Sequence, residues 1–144
     1  MIVGQILGAK TQSQTVTIAP SATIKEAVTL LSEKRIGALV VASAPGKPVG
    51  ILSERDVVRE LGREGPEVLE SRVDALMTSK LVTCRKDHSA LDVLDMMTKG
   101  RFRHLPVMDG GEMVGLVSIG DVVKARLDEL AMEKDALEGM IMGH

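Results

Sequence analysis

The sequence predicts an α+β protein made of two copies of a β-α-β-β-α unit followed by a C-terminal helix. Three observations carry this. Thr17, Thr23, Val28, Leu39 and Val41 fall on Thr83, Ser89, Leu94, Leu105 and Val107 at one constant spacing, and after a single-residue deletion Val49, Gly50, Ser53 and Asp56 fall on Val114, Gly115, Ser118 and Asp121. Apolar residues switch between helical and strand periods in the same order in both copies. The closest internal match, GILSERD (Gly50–Asp56) against GLVSIGD (Gly115–Asp121), ends a strand in each. Self-similarity at a fixed period makes the halves two subdomains of one kind.

The elements follow in order. A lead-in, Val3–Leu7 (VGQIL), is similar to a second one, Val73–Met77 (VDALM). The run TVTI, Thr15–Ile18, is a strand that Ala19-Pro20-Ser21 ends, because proline cannot donate to a ladder. Thr23 and Glu26 then have capping-box spacing, with Ile24, Ala27, Val28 and Leu31 on one helical face. Ser89 and Asp92 repeat the cap, and Ala90, Val93, Leu94 and Met97 the stripe. Ile36–Ala42 is rich in branched apolar residues and returns through a turn at Ala44-Pro45-Gly46-Lys47 to Val49–Leu52, a β-hairpin whose second copy turns at Asp109-Gly110-Gly111. Between Arg63 and Arg72, Gly65, Pro66 and several charges mark a linker. The division expected is therefore 1–66 for the first repeat with its lead-in, 67–123 for the second and 124–144 for a C-terminal helix. In that helix Val123, Leu127, Leu130, Leu137 and Ile141 follow a heptad seam with Lys134 at the missing position. Such a seam either packs on its own domain or pairs with another subunit.

Composition narrows the function. A chain of 144 residues is about one domain's worth, so the halves should share a core. Net charge is −2 and Phe102 is the only aromatic residue, so the basic, ring-lined groove that holds single-stranded nucleic acid is missing. No apolar run spans a bilayer, and the N-terminus lacks a signal-type segment, so no membrane role and a cytoplasmic location are expected. Cys84 aligns with Ile18 at a strand position and reads as a small core residue. His88 lies in a polar turn and is expected to be exposed. No metal-ligand spacing and no phosphate loop with the Gly-Lys-Ser signature occurs, so an enzyme is not expected.

The duplicated motif has two physical readings. A strand that ends in serine and feeds a helix sets backbone N–H groups at the helix N-terminus, which favours anions, and an aspartate three residues on offers two acceptor oxygens suited to a ribose diol. Ser-x-x-Asp is equally a helix-capping pattern that needs no ligand. Gly50 and Gly115 allow close backbone approach.

The lead-in VDALM, the element order, the hairpin RHLPVMDGGEMVGLVS (Arg103–Ser118) and the motifs GILSERD and GLVSIGD together resemble a stand-alone tandem pair of the CBS-domain family over nearly the whole chain. The resemblance implies two repeats packed about a pseudo-two-fold axis, clefts that take adenosine compounds such as AMP, ADP, ATP or NAD, and a homodimer of pairs regulating a separate partner protein. It puts ribose contacts on Asp56 and Asp121, hydroxyl contacts on Ser53 and Ser118, and first-strand polar contacts on Thr17 and Thr83. Adenine would lie against Ala38 and Leu39 in one copy and His104, Leu105 and Pro106 in the other. Arg101, Arg103 and His104, with Arg35 and Arg55 from the first copy, are candidates for a phosphate tail, since guanidinium pairs well with phosphate. Because Gly37-Ala38 becomes Arg103-His104, the two sites are expected to be unequal. An interaction module with vestigial clefts, recruiting a partner through its dimer surface or C-terminal helix, is the alternative.

Overall fold

The structure, a computed structural model, describes residues 1–10 and 15–141. Residues 11–14, inside the expected first repeat, and 142–144, the end of the expected C-terminal helix, lie outside the described residues. The architecture is α+β: two three-stranded sheets, each in strand order first-second-third, with helices and a long C-terminal helix. In the first copy β1 (Thr17–Ile18) pairs parallel with β2 (Ala38–Ala44), and β2 pairs antiparallel with β3 (Lys47–Ser53). In the second, β4 (Cys84–Arg85) pairs parallel with β5 (His104–Asp109), and β6 (Glu112–Ser118) completes the sheet.

The helices of each copy start and stop where local chemistry requires. α1 (Val3–Ala9) is the first lead-in, and α2 (Ile24–Lys34) begins at Thr23, whose hydroxyl accepts from the Glu26 amide at 3.1 Å. Only that half of the expected capping box forms there. After α3 (Glu54–Glu64) and the second lead-in α4 (Val73–Leu76), α5 (Ala90–Gly100) has the full box: Asp92 N–H donates to Ser89 at 3.0 Å and Ser89 N–H to the Asp92 carboxylate at 3.0 Å. α2 and α5 end on Arg35 and Arg101, both left-handed at φ 53° and 58°. The second strand starts two residues later than the apolar run suggests, because Ile36 N–H closes the end of α2 on the Leu31 carbonyl and the Gly37 carbonyl accepts from Glu54.

The expected linker is ordered more tightly than its composition suggests. Pro66–Glu70 forms a 3₁₀ turn, and Val68, 5% exposed, joins a core with Ile24, Leu31, Leu52 and Val57. A buried valine pins a segment that glycine, proline and charge alone mark as loop.

Two compact units emerge: one from the described parts of Met1–Ser13, Thr83–Asp109 and Gly115–His144, the other from Gln14–Val82 and Gly110–Val114. The lead-ins are exchanged relative to the sequence repeats. In one unit Ile2 bridges Ser89, and Val3 N–H bonds the His88 carbonyl at 2.9 Å; in the other Arg72 bridges Thr23, and Val73 N–H bonds the Ala22 carbonyl at 2.8 Å. Each lead-in thus docks at the helix cap of the other repeat. Cys84 is buried in its strand, and burial pushes its thiol pKa up to about 11, as befits a core residue. His88 is half-buried rather than exposed, since its ring Nδ1 accepts from the Arg85 amide at 2.8 Å.

The C-terminal helix α6 (Ile119–Ile141) packs by Val122 and Ala125, its two buried residues. The seam residues lie on exposed positions, from Val123 at 41% to Ile141 at 84%. Among the described residues no helix is long and apolar enough to cross a membrane.

Candidate functional site

Each GILSERD-type motif forms a strand-to-helix junction. At the first, Asp56 N–H donates to Ser53 Oγ at 3.2 Å, while Asp56 Oδ2 accepts from the Ser53 amide at 2.9 Å and from Ser53 Oγ at 3.0 Å. At the second, Asp121 N–H donates to Ser118 Oγ at 3.1 Å, and Asp121 Oδ2 accepts from the Ser118 amide at 2.9 Å. Both motifs are therefore reciprocal helix caps, and the capping reading holds at both. The first amide of each helix is also satisfied within the protein: Glu54 N–H by the Gly37 carbonyl at 2.9 Å, Ile119 N–H by the Arg103 carbonyl at 2.8 Å. Two N-terminal amides of each helix are thus already occupied, which narrows the anion site that a bare helix terminus would offer.

The junctions diverge at the carboxylate. Asp56 is 8% exposed, and its second oxygen, Oδ1, accepts from Arg59 at 3.1 Å, one turn along the same helix. Both of its oxygens are engaged. Asp121 is paired instead with Lys10, whose ammonium lies 2.9 Å from the same Oδ2 that takes the Ser118 amide and donates to the Leu116 carbonyl at 2.8 Å. Its side chain is 25% exposed. Burial raises the Asp121 pKa, but the Ser118 amide and the Lys10 ammonium outweigh it, so the carboxyl lies below the usual carboxylate range. Asp121 is a charged acceptor at neutral pH.

The remaining sequence candidates divide between the two units. In the first repeat Ala38 and Leu39 are buried on β2, with Ala38 directly across from Ser53. Thr17 is exposed on β1 opposite Val40, and Arg35 and Arg55 are exposed at the end of α2 and the start of α3. In the second repeat Leu105 and Pro106 are buried, His104 is half-buried, and Thr83, Arg101 and Arg103 are exposed. The Arg103 backbone is one hydrogen bond from the first turn of α6, which carries Asp121. The glycines work differently from a ligand cradle: a Cβ on Gly50 would lie 2.5 Å from Met77 Sδ and 3.0 Å from the Thr78 carbonyl, and one on Gly115 would lie 2.9 Å from a Leu7 methyl. The close approach they allow is that of the exchanged lead-ins.

Lys10 and Arg59 are the polar partners that sequence reasoning missed. The signal for Lys10 was present, since the lead-ins VGQILGAK and VDALMTSK both end in lysine, Lys10 and Lys80. Among the described residues no three His, Cys, Asp or Glu side chains gather as a metal site.

The CBS-domain family model matches residues 3–63 and 73–128. The chain belongs to the CBS-domain family. As a CBS pair it is 36% identical over 126 residues to the CBS domain-containing protein CBSX3, mitochondrial, of Arabidopsis thaliana, covering 84% of this chain but 61% of that protein. It is similar in structure to the CBS-domain containing protein ATU1752 from Agrobacterium tumefaciens, at TM-score 0.82 and 40% identity over 88% of this chain and 99% of that one. The CBS domain protein PAE2072 from Pyrobaculum aerophilum, solved in complex with AMP, matches at TM-score 0.78 and 28% identity over 92% and 99% of the two chains. These matches support the repeat architecture read from the sequence.

Proposed function

We propose that this CBS pair is a regulatory, non-catalytic module that binds an adenosine-containing nucleotide at its Ser-x-x-Asp junctions and thereby alters its engagement of a separate partner protein, as a cytoplasmic homodimer. AMP, ADP, ATP and NAD are the ligand class. The observation that carries the reading is the Asp121 carboxylate: ionised, partly exposed, and fixed through Oδ2 alone by the Ser118 amide and Lys10. Oδ1 can then accept from a ribose hydroxyl without breaking the cap, and a charge-assisted bond of that kind contributes roughly 1.5–3 kcal/mol. Arg103 and Arg101, exposed in the same unit, supply charge for a phosphate tail, while buried Leu105 and Pro106 offer an apolar wall for adenine. That PAE2072 is complexed with AMP supports the ligand class. Asp56, Ser53, Thr17, Ala38, Leu39, Arg35 and Arg55 make the second, more closed site, in which a ligand must first displace Arg59. Thr83 and His104 complete the first. Regulation requires that the nucleotide bind one conformation better than another.

A thermal-shift panel of AMP, ADP, ATP, NAD and S-adenosylmethionine tests this. At ligand near 100 times its dissociation constant, about 2.7 kcal/mol of stabilisation is expected, a rise of several degrees in melting temperature. No response to any member, with titration calorimetry also silent, leaves the second reading, an interaction module whose exposed α6 seam recruits a partner.

A further inference from the structure

The exposed face of α6 carries more order than a solvated helix needs. The family match ends at residue 128, yet the helix continues to Ile141, and from Leu130 onward every residue except Gly139 is exposed. A helical stretch of roughly twelve residues without tertiary cover is marginal in water. Its apolar residues nevertheless hold one line: Val123, Leu127, Leu130, Leu137 and Ile141 are spaced alternately four and three apart once Lys134 is counted, and all five are exposed. The opposite face, through Val122 and Ala125, is the one buried in the unit. This is a seam with its own partner still to come.

We infer that α6 pairs with α6 of a second copy, in antiparallel orientation, through this seam. The inference deepens the dimer in the proposed function and rests on it for nothing else, since it needs no nucleotide. Charge decides the orientation. In a parallel pair Lys134 would face Lys134 of the second copy inside the seam, and Glu133 would flank Glu138 of the second copy; like charges oppose each other at both places. In the antiparallel pair every seam residue finds a match: Val123 with Ile141, Leu127 with Leu137, and Leu130 with the aliphatic stem of Lys134. The flanking positions then set Lys124 beside Glu138 twice, and Ala131 beside Ala131 at the two-fold axis, where small side chains let the helices approach. The Lys134 ammonium meets Glu133 of the second copy, which offsets the contact between the two Glu133 residues at the axis. Lys124 and Glu138 are both exposed, and Glu138, whose carboxylate lies 3.8 Å from Lys134 on its own helix, exchanges that partner for Lys124 of the second copy.

Cysteine cross-linking reads the orientation directly. Leu127→Cys and Leu137→Cys are prepared as separate full-length proteins, at exposed positions where folding is not at stake, and Cys84 stays shielded by burial. Mild oxidation of the mixture is expected to give a disulfide-linked dimer containing one of each, identified by peptide mass, with little linkage in either protein alone, because like positions lie about 15 Å apart along an antiparallel pair. Lys124→Glu in both proteins should lower the mixed yield roughly five-fold, and adding Glu138→Lys should restore it. Linkage within each unmixed protein, no mixed linkage, or a mixed yield indifferent to both charge changes overturns the inference. Because the thermal-shift response to nucleotide is a separate measurement, failure here leaves the ligand reading standing, and the reverse also holds.

Discussion

The two junctions are built from the same motif and end with different carboxylates. Asp56 is closed from within its own helix by Arg59, whereas Asp121 is held by Lys10, which arrives on the exchanged lead-in segment. The positions that correspond to these cations by repeat, Lys124 for Arg59 and Lys80 for Lys10, are both exposed lysines. Two copies of one cap can thus be made a structural element in one case and a candidate ligand acceptor in the other by changing which cation is within reach. In the proposed function, capping and binding are separable duties of the same aspartate.

The lead-in seats offer the largest effect with which to sharpen that contrast. Gly50→Ala drives a Cβ against both Met77 and the Thr78 carbonyl, and backbone cannot move aside as a methyl can, so a loss of about 1–3 kcal/mol in urea denaturation is expected. Gly115→Ala meets only the end of Leu7 and should cost clearly less. Equal losses would show that the two seats are equivalent. Next in size, Asp56→Ala removes a cap and leaves Arg59 with only its 3.5 Å contact to Glu60, at about 1–2 kcal/mol by the same assay, with a smaller loss for the more exposed Asp121→Ala. A larger loss at Asp121 would break the assignment of the structural role to Asp56.

Smaller effects separate backbone from charge. Arg35→Gly and Arg101→Gly relieve a left-handed residue worth about 1 kcal/mol against about half that in added chain entropy, so stability should hold or rise slightly. A clear fall in either would mean that the arginine side chain holds the fold. Lys10→Met tests the electrostatics of the second junction alone. Asp121 titrates below its unfolded value of about 3.9, so the stability it contributes is present at neutral pH and is lost as pH falls through the folded value. In the Lys10→Met variant the Asp121 carboxyl, followed by NMR, should titrate at higher pH, and the small stability deficit at pH 7 should vanish in acid. An unmoved Asp121 titration would remove Lys10 from the account.

Much of this was legible because the chain repeats itself. The β-α-β-β-α order, the turn before Lys47 and the Ser–Asp caps all follow from patterns that local chemistry enforces within a few residues. The exchange of lead-ins was not, since a short segment such as VDALM carries no mark of which repeat it will dock on; that is settled by the Thr23–Arg72 and Ser89–Ile2 pairings, far apart in sequence. Val68 shows the same limit in the linker, where one buried side chain outweighs its polar neighbours. The Asp56–Arg59 pair needed only helical spacing to be foreseen, whereas Lys10–Asp121 depends on the docking of α1 and could be suspected only from the repeated lysine.

The most direct test of the unequal junctions is calorimetric titration of AMP into the wild type, Asp56→Ala and Asp121→Ala, each first shown to be folded. The account predicts that Asp121→Ala weakens the tighter binding event at least ten-fold, in line with loss of one charge-assisted bond, while Asp56→Ala changes it less than three-fold. Equal weakening by both variants, or a loss confined to Asp56→Ala, would contradict it.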